Sequence, residues 1–262
     1  MLDIGVNFHS PQLKGSTGPL LERAKSAGIR AILATGSSRA ASQAAHELAC
    51  QHAGYIWATA GVHPHGASHW DDQVHAALDA LWRQPEVVAV GELGLDYNRL
   101  FSPRDAQRHA FEQQLAAAVQ VGKPLFLHSR DAFEDFRAMT REAARAGARG
   151  VVHCFTGTAA EALAHLEDGY DIGVTGWVAD PVRGESLRQA LKVIPLERIH
   201  LETDAPYLMP RNKPKRGSVN EPANLPWVAK AVAELLDLPP EEVGATCEAN
   251  SRRLFALPSA KR

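Results

Sequence analysis

The sequence predicts an α/β protein with a (β/α)8 TIM barrel as a single domain over residues 1–262, and three observations lead there. Short apolar runs alternate with longer amphipathic, alanine-rich segments from one end to the other, the pattern of strand-helix units around a parallel sheet. Eight such units can be counted. Eight close into a barrel, whereas a doubly wound sheet normally uses fewer strands and leaves two edges exposed. Finally, strand after strand ends in a metal-capable or acid-base residue, and in a barrel those ends converge on one face.

In chain order, the first strand is expected over Leu2 to Asn7 and its helix over 18–27, left through Gly28. Ile29 to Thr35 leads into a helix over 38–53 that exits at Gly54, and Tyr55 to Val62 into one over 70–84. Val87 to Glu92 is followed by a helix over 103–120, for which Ser102-Pro103 reads as N-cap and first turn and Gly122 as the exit. Leu125 to His128 precedes a helix over 131–146 with Asp131 as candidate cap. Gly150 to Cys154 precedes one over 158–168, where Thr158 and Glu161 have capping-box spacing and Gly169 ends the run. Asp171 to Val174 with 184–192, then Ile199 to Glu202 with 224–236, complete the set, and a last helix is expected over 240–256. The longest irregular stretch, Ala205 to Leu225, is rich in Pro, Arg, Lys and Asn, and a connection that long inside a compact domain is usually functional.

With 262 residues and 45% hydrophobic content, the chain can bury one large core without disulfides or a partner subunit, so a monomer is expected. A formal charge of -2, from 28 basic and 30 acidic residues, excludes a whole-surface positive field for a long polyanion. A nucleic-acid partner would need a local basic patch and bound metal ions. Cys50, Cys154 and Cys247 are far apart without a Cys-x-x-Cys pair, which suits a reducing compartment. The first residues have no basic n-region or cleavage pattern, and no run approaches the roughly 18 apolar residues of a membrane span, so a cytoplasmic protein without a membrane partner is expected.

The polar residues at the strand ends are Asp3 and Asn7, His63 and His65, Glu92 and Asp96, His128 and Arg130, His153, then Glu202 and Asp204. His63 can be read as a turn histidine bonded to backbone. His128 after Leu125-Phe126-Leu127 and His153 after Val151-Val152 end consecutive strands, with Glu92 one strand earlier, which makes a plausible Glu-His-His ligand set. Glu92 would be costly if buried without a cation, and Asp204 can ligate metal or take the proton of an attacking water. Mixed oxygen and imidazole ligation without thiolates suits Mg2+ or Mn2+, and two histidines keep Zn2+ open. Cys154 faces away from His153 along a strand, and no Gly-x-Ser-x-Gly elbow is present. Arg211, Lys213, Lys215 and Arg216 form a basic loop that reads either as a solvated face or as a holder of phosphates. Trp177 reads as a base-stacking ring or a loop anchor. The rival readings are an amide or ester hydrolase acting on a small molecule, and a nucleic-acid-binding barrel without catalysis.

These residues also carry a family resemblance. The motifs are Asp3-Ile4-Gly5-Val6-Asn7, Gly61-Val62-His63-Pro64-His65, Gly91-Glu92-Leu93-Gly94-Leu95-Asp96, Leu127-His128-Ser129-Arg130, His153-Cys154-Phe155-Thr156-Gly157, Glu202-Thr203-Asp204-Ala205-Pro206-Tyr207 and Arg216 through Asn220-Glu221-Pro222. In this order they resemble the TatD-type metal-dependent deoxyribonucleases, amidohydrolase-like TIM barrels, from Asp3 to about Phe255. The resemblance implies that Glu92, His128 and His153 bind divalent metal and that Asp204 contributes to a second position or to water activation. It places His63 and His65 in the substrate cleft, where Arg130, the basic loop, Asn220 and Glu221 are also expected to meet substrate. Gly5 and Asn7 stand where many relatives carry a strand-1 His-x-His pair, so one tight metal position is expected rather than two. The branch it looks closest to implies Mg2+-dependent 3'-to-5' exonuclease activity on single-stranded DNA and RNA, with a link to DNA repair.

Overall fold

The alternation of apolar runs and amphipathic segments resolves into eight strands and nine α-helices among residues 1–215 and 217–258, which the computed structural model describes. In order these are β1 (Leu2–Val6), α1 (Thr17–Ser26), β2 (Ala31–Ala34), α2 (Arg39–Gln51), β3 (Ile56–Ala60), α3 (Asp72–Trp82), β4 (Val87–Asp96), α4 (Arg104–Val121) and β5 (Leu125–Arg130). Then follow α5 (Phe133–Arg145), β6 (Gly150–Val152), α6 (Ala159–Glu167), β7 (Asp171–Val174), α7 (Glu185–Leu191), β8 (Ile199–Leu201), α8 (Leu225–Leu236) and α9 (Pro240–Leu254). The strands form one sheet in the order β1 to β8, and the fold class is the (β/α)8 barrel. β1, β2, β4, β6, β7 and β8 are buried along their whole length, as parallel strands covered on both faces must be. No helix of the described residues is long and apolar enough to cross a membrane.

Two compact units make up the chain. One comprises residues 34–153 and 168–170 and holds β3 to β6. In it β4 runs on past Glu92, where the sequence suggested an end, because a register shift between Gly91 and Leu93 lets it stay paired with β5 as far as Asp96 and Arg130. Two glycines permit this. Gly94 has a φ of +148°, and a Cβ there would collide with the His128 carbonyl, while a Cβ on Gly61 would lie 2.6 Å from Gly91 Cα and 2.8 Å from the Glu92 carbonyl oxygen. Trp82, Phe111, Phe126 and Phe136 fill the core, with Phe111 stacked on Phe136 and the Trp82 indole donating to the Ala60 carbonyl at 2.8 Å.

The other unit comprises residues 1–33, 154–167 and 171–262. In it β7 pairs with β8 in parallel, and a parallel bridge between Val6 and Ala205, with the Asn7 N–H donating to the Ala205 carbonyl at 2.8 Å, joins the first strand to the continuation of the last. That bridge is the closure expected of a barrel.

The helix exits at Gly28, Gly54, Gly122 and Gly169 all have positive φ, as their sequence positions suggested. Thr158 and Glu161 form the expected reciprocal capping box, at 2.6 and 3.3 Å. Two caps differ. The Ser102 hydroxyl does not cap α4; it donates to the His65 carbonyl and accepts from the Ser68 N–H, both at 3.0 Å. Asp131 sits at a φ of 52° and accepts from the Asn98 side chain at 2.7 Å, so Ala132 begins α5 without a side-chain cap.

Candidate metal centre

Glu92 lies on β4, buried, and one of its two carboxylate oxygens gathers three imidazoles. His153 Nε2 stands 2.8 Å from Oε1, His128 Nδ1 3.1 Å and His63 Nε2 3.3 Å. His63 comes from the end of β3, His128 from β5 and His153 from the residue after β6, so three strands of the four from β3 to β6 deliver one nitrogen each to the carboxylate carried by the fourth, β4. An oxygen with two lone pairs cannot accept three good hydrogen bonds in one place. The donor atoms of His63, Glu92 and His128 all lie within 4.8 Å of one another. Such a convergence of lone pairs suits a divalent cation, for which imidazole and carboxylate are ordinary ligands. The other ring nitrogen, His128 Nε2, is buried without a hydrogen-bond partner.

Asp96, four residues further along β4, supports the histidines. Its Oδ2 lies 2.8 Å from His65 Nε2 and 3.7 Å from His128 Nε2, while Oδ1 accepts from the N–H groups of Asn98 and Arg99 at 3.0 and 2.9 Å. The His65 N–H donates to His63 Nδ1 at 3.0 Å, which aims His63 Nε2 at Glu92. His153 stacks on Phe126 with ring centroids 4.4 Å apart. From α4, two buried glutamines spaced seven apart grip the same strand ends. Gln114 exchanges hydrogen bonds with the Val62 backbone at 2.8 and 3.2 Å, and Gln107 with that of Asp96 at 2.8 and 2.9 Å. A sequence signal for them existed: an amide recurring on the apolar face of a helix needs a buried partner. Phe101 is a further residue that the sequence did not single out, 66% exposed with its ring 4.7 Å from that of His65.

Electrostatics sort the ionisable groups. Burial opposes the charge on Glu92, but the surrounding imidazoles outweigh it and hold the carboxyl well below its ordinary value. Asp96 is likewise held below the usual range, burial being overcome by His128, His65 and the Arg99 N–H. Desolvation drives His63 down to about 3, against the pull of Glu92. Desolvation also opposes the His128 cation, yet Asp96 and Glu92 raise its pKa above the ordinary histidine value.

The other unit carries a second group of polar strand-end residues. Asn7 Nδ2 donates to Asp204 Oδ1 at 2.8 Å and to the Ala205 carbonyl at 3.2 Å. Asp3 accepts from the Thr203 hydroxyl at 2.6 Å and from the N–H groups of Thr203 and Gly5 at 2.9 and 3.3 Å, and burial nonetheless pushes its carboxyl up to about 8. Buried Glu202 accepts from the Cys154 N–H. Asn7 thus spends its amide on fixing a carboxylate, and Gly5 contributes only backbone.

The remaining expected residues divide. Arg130, Arg211 and Lys215 are exposed, while Arg216 lies outside the described residues. Arg211 Nε stands 3.6 Å from Asp180 and Lys213 donates to Asn224 at 2.6 Å. Trp177, Arg183 and Arg211 line a pocket of about 440 Å³. The Arg183 guanidinium lies 4.5 Å over the Trp177 ring, whose N–H donates to the Arg183 carbonyl at 2.7 Å, so this indole is anchored in its loop. Asn220 is fully buried and bonds the Thr203 and Tyr207 carbonyls, the Glu221 N–H and the Asn224 amide, and Glu221 pairs with Arg23 at 2.6 Å. Both are engaged within the protein.

Comparison with known proteins gives a consistent picture. The family model described as TatD related DNase matches residues 2–256. A protein named 3'-5' ssDNA/RNA exonuclease TatD from Erwinia billingiae is 47% identical over 261 residues, covering 99% of this chain and 100% of its own length. One of the same name from Rahnella is 48% identical over 265 residues, with both chains covered completely. Among solved structures, YJJV, a TatD homologue from Escherichia coli, superposes with a TM-score of 0.87 at 27% identity, covering 98% of both chains. A TatD-family hydrolase from Entamoeba histolytica gives 0.88 at 26%, again over 98% of both.

Proposed function

The chain belongs to the TatD related DNase family, and from that premise we propose that it is a divalent-metal-dependent phosphodiesterase removing nucleotides 3'-to-5' from single-stranded DNA and RNA, as its relatives from Erwinia and Rahnella are named. The observation that carries the reading is the convergence of His63, His128 and His153 on one oxygen of Glu92. Divalent metal is required by this family and fold, and the proposed ion is Mg2+, with Mn2+ or Zn2+ as substitutes. Held there, a dication supplies Lewis acidity to a phosphoryl oxygen and to the attacking water.

The chain's own residues do the rest. Glu92, His128 and His153 hold the ion, and His63, whose Nδ1 accepts from the His65 N–H and whose Nε2 faces Glu92, steadies that carboxylate beside the substrate. Asp96 keeps His65 and His128 oriented, as partners behind metal ligands commonly do. Asp204, fixed by the Asn7 amide, takes the proton of the attacking water. His65, Arg130, Arg211, Lys213, Lys215 and Arg216 receive the phosphodiester strand, and Asn220 and Glu221 shape the loop that carries the basic residues. The protein acts as a single-domain monomer in the cytoplasm, on single strands of the kind repair exposes.

Dialysis against strong chelator, followed by assay on single-stranded DNA, RNA, duplex DNA and amide or ester substrates with and without added Mg2+, tests the reading. Loss and recovery of single-strand degradation is expected. Full activity in chelator would overturn the metal mechanism, and turnover of amides or esters alone would overturn the substrate class.

A further inference from the structure

A second convergence of ligand atoms lies on α2 and the turn before β4. His46 and Cys50 are one helical turn apart on α2, and Glu86 immediately precedes β4. His46 Nε2 stands 3.4 Å from Cys50 Sγ and 3.5 Å from Glu86 Oε2, and the three ligand atoms all lie within 4.8 Å of one another. From these side chains we infer a second metal site, of thiolate-imidazole-carboxylate type, that takes zinc or another thiophilic divalent cation.

Two of the three separations are those of a tetrahedral centre. Zinc bond lengths to sulfur, nitrogen and oxygen place such ligand atoms about 3.4 to 3.6 Å apart across a tetrahedral angle. Both separations at His46 Nε2 match. Hydrogen bonding satisfies the same arrangement poorly. The Nε2 atom carries either a lone pair for the Cys50 thiol or one proton to be shared between sulfur and the carboxylate, and His46 Nδ1 is buried without a partner. One cation serves all three atoms. Cys50 is exposed and Glu86 partly so, which leaves an open side for water as a fourth ligand. The nearby ammonium of Lys123 feels the charge of Glu86, but donates to the carbonyls of Gln84 and Val87.

This set differs in kind from the one around Glu92. A sulfur ligand selects against Mg2+ and for zinc, so excess Mg2+ does not fill this site. On binding, the Cys50 thiol releases its proton to solvent and a sulfur-metal bond forms. The site ties α2 to the α3-β4 turn, and nothing in it touches the nuclease centre.

Co2+ titration of the full-length, metal-stripped chain in excess Mg2+ tests the inference, because a thiolate bound to Co2+ produces an intense charge-transfer band in the near ultraviolet. The wild type should develop that band and retain about one more zinc per chain after gel filtration than Cys50→Ser. Cys50→Ser should show no Cys50-dependent band, keep wild-type circular dichroism and degrade single strands at the wild-type rate, and Glu86→Gln should weaken the cobalt affinity by about tenfold or more. Absence of the band in the wild type, or an equal band in Cys50→Ser, overturns the site. The comparison with Cys50→Ser also separates this site from Cys154, and loss of the site would leave the nuclease reading untouched.

Discussion

Glu92 and Asp204 are both acids at the ends of barrel strands, yet one is met by imidazoles and the other by an amide. Glu92 is surrounded by imidazoles, three of them on a single oxygen. Asp204 is fixed by the neutral amide of Asn7. Imidazoles around a carboxylate make a site that exchanges protons for a cation, whereas an amide NH2, which does not ionise, orients a carboxylate without competing for its charge. In the proposed mechanism a carboxylate thus serves as ligand in one unit and as oriented base in the other.

The largest effect expected from this contrast is at the ligands. His153→Ala should lower turnover by more than about 100-fold with the circular dichroism unchanged, since this residue lies just past the end of β6. Asp204→Asn should cost about 100- to 10,000-fold in kcat while leaving metal affinity near wild type, the mark of a lost base. Equal losses of metal in both variants, by calorimetry, would erase the distinction between the two carboxylates.

The pH dependence of metal binding is a smaller effect, and its sign is fixed. The raised pKa of His128 means that a proton occupies the metal-free site over a range extending above the ordinary histidine value. His63, near 3, is already neutral there and adds no competition. Metal affinity should therefore be flat at high pH and fall by about tenfold per unit as pH drops through the His128 pKa. Asp96→Asn, which removes one carboxylate facing His128, should move that fall to lower pH. The smallest effect belongs to Phe101→Ala. If this exposed ring stacks on a base, single-strand binding weakens by about 1 kcal/mol, at the low end for such contacts, with kcat preserved.

Nearly all the strands and helices were legible in the sequence, because period and exit glycines are local signals. The misreadings at Ser102 and Asp131 were also local in origin: a side chain that can cap a helix can equally bond His65 or Asn98, and only packing decides. At the site, Glu92, His128 and His153 stood out as polar residues ending apolar strands. His63 gave the same signal, but whether its ring meets an ion or a substrate depends on His65 and on the close approach at Gly61, which are tertiary facts. Asn220 and Glu221 read as substrate contacts from motif alone, while their hydrogen bonds run to backbone and to Arg23. Gln107 and Gln114 went unremarked because a helix pattern records that a face is apolar more readily than why two amides interrupt it.

In the proposed function the metal belongs to Glu92 and its histidines. Calorimetric titration of metal-stripped, substrate-free protein with Mn2+, run in parallel on wild type, Glu92→Gln and Asp204→Asn, tests it most directly. One tight site in the wild type, lost in Glu92→Gln and retained in Asp204→Asn, is the predicted result; tight binding that survives in Glu92→Gln, or two equally tight sites in the wild type, would contradict it.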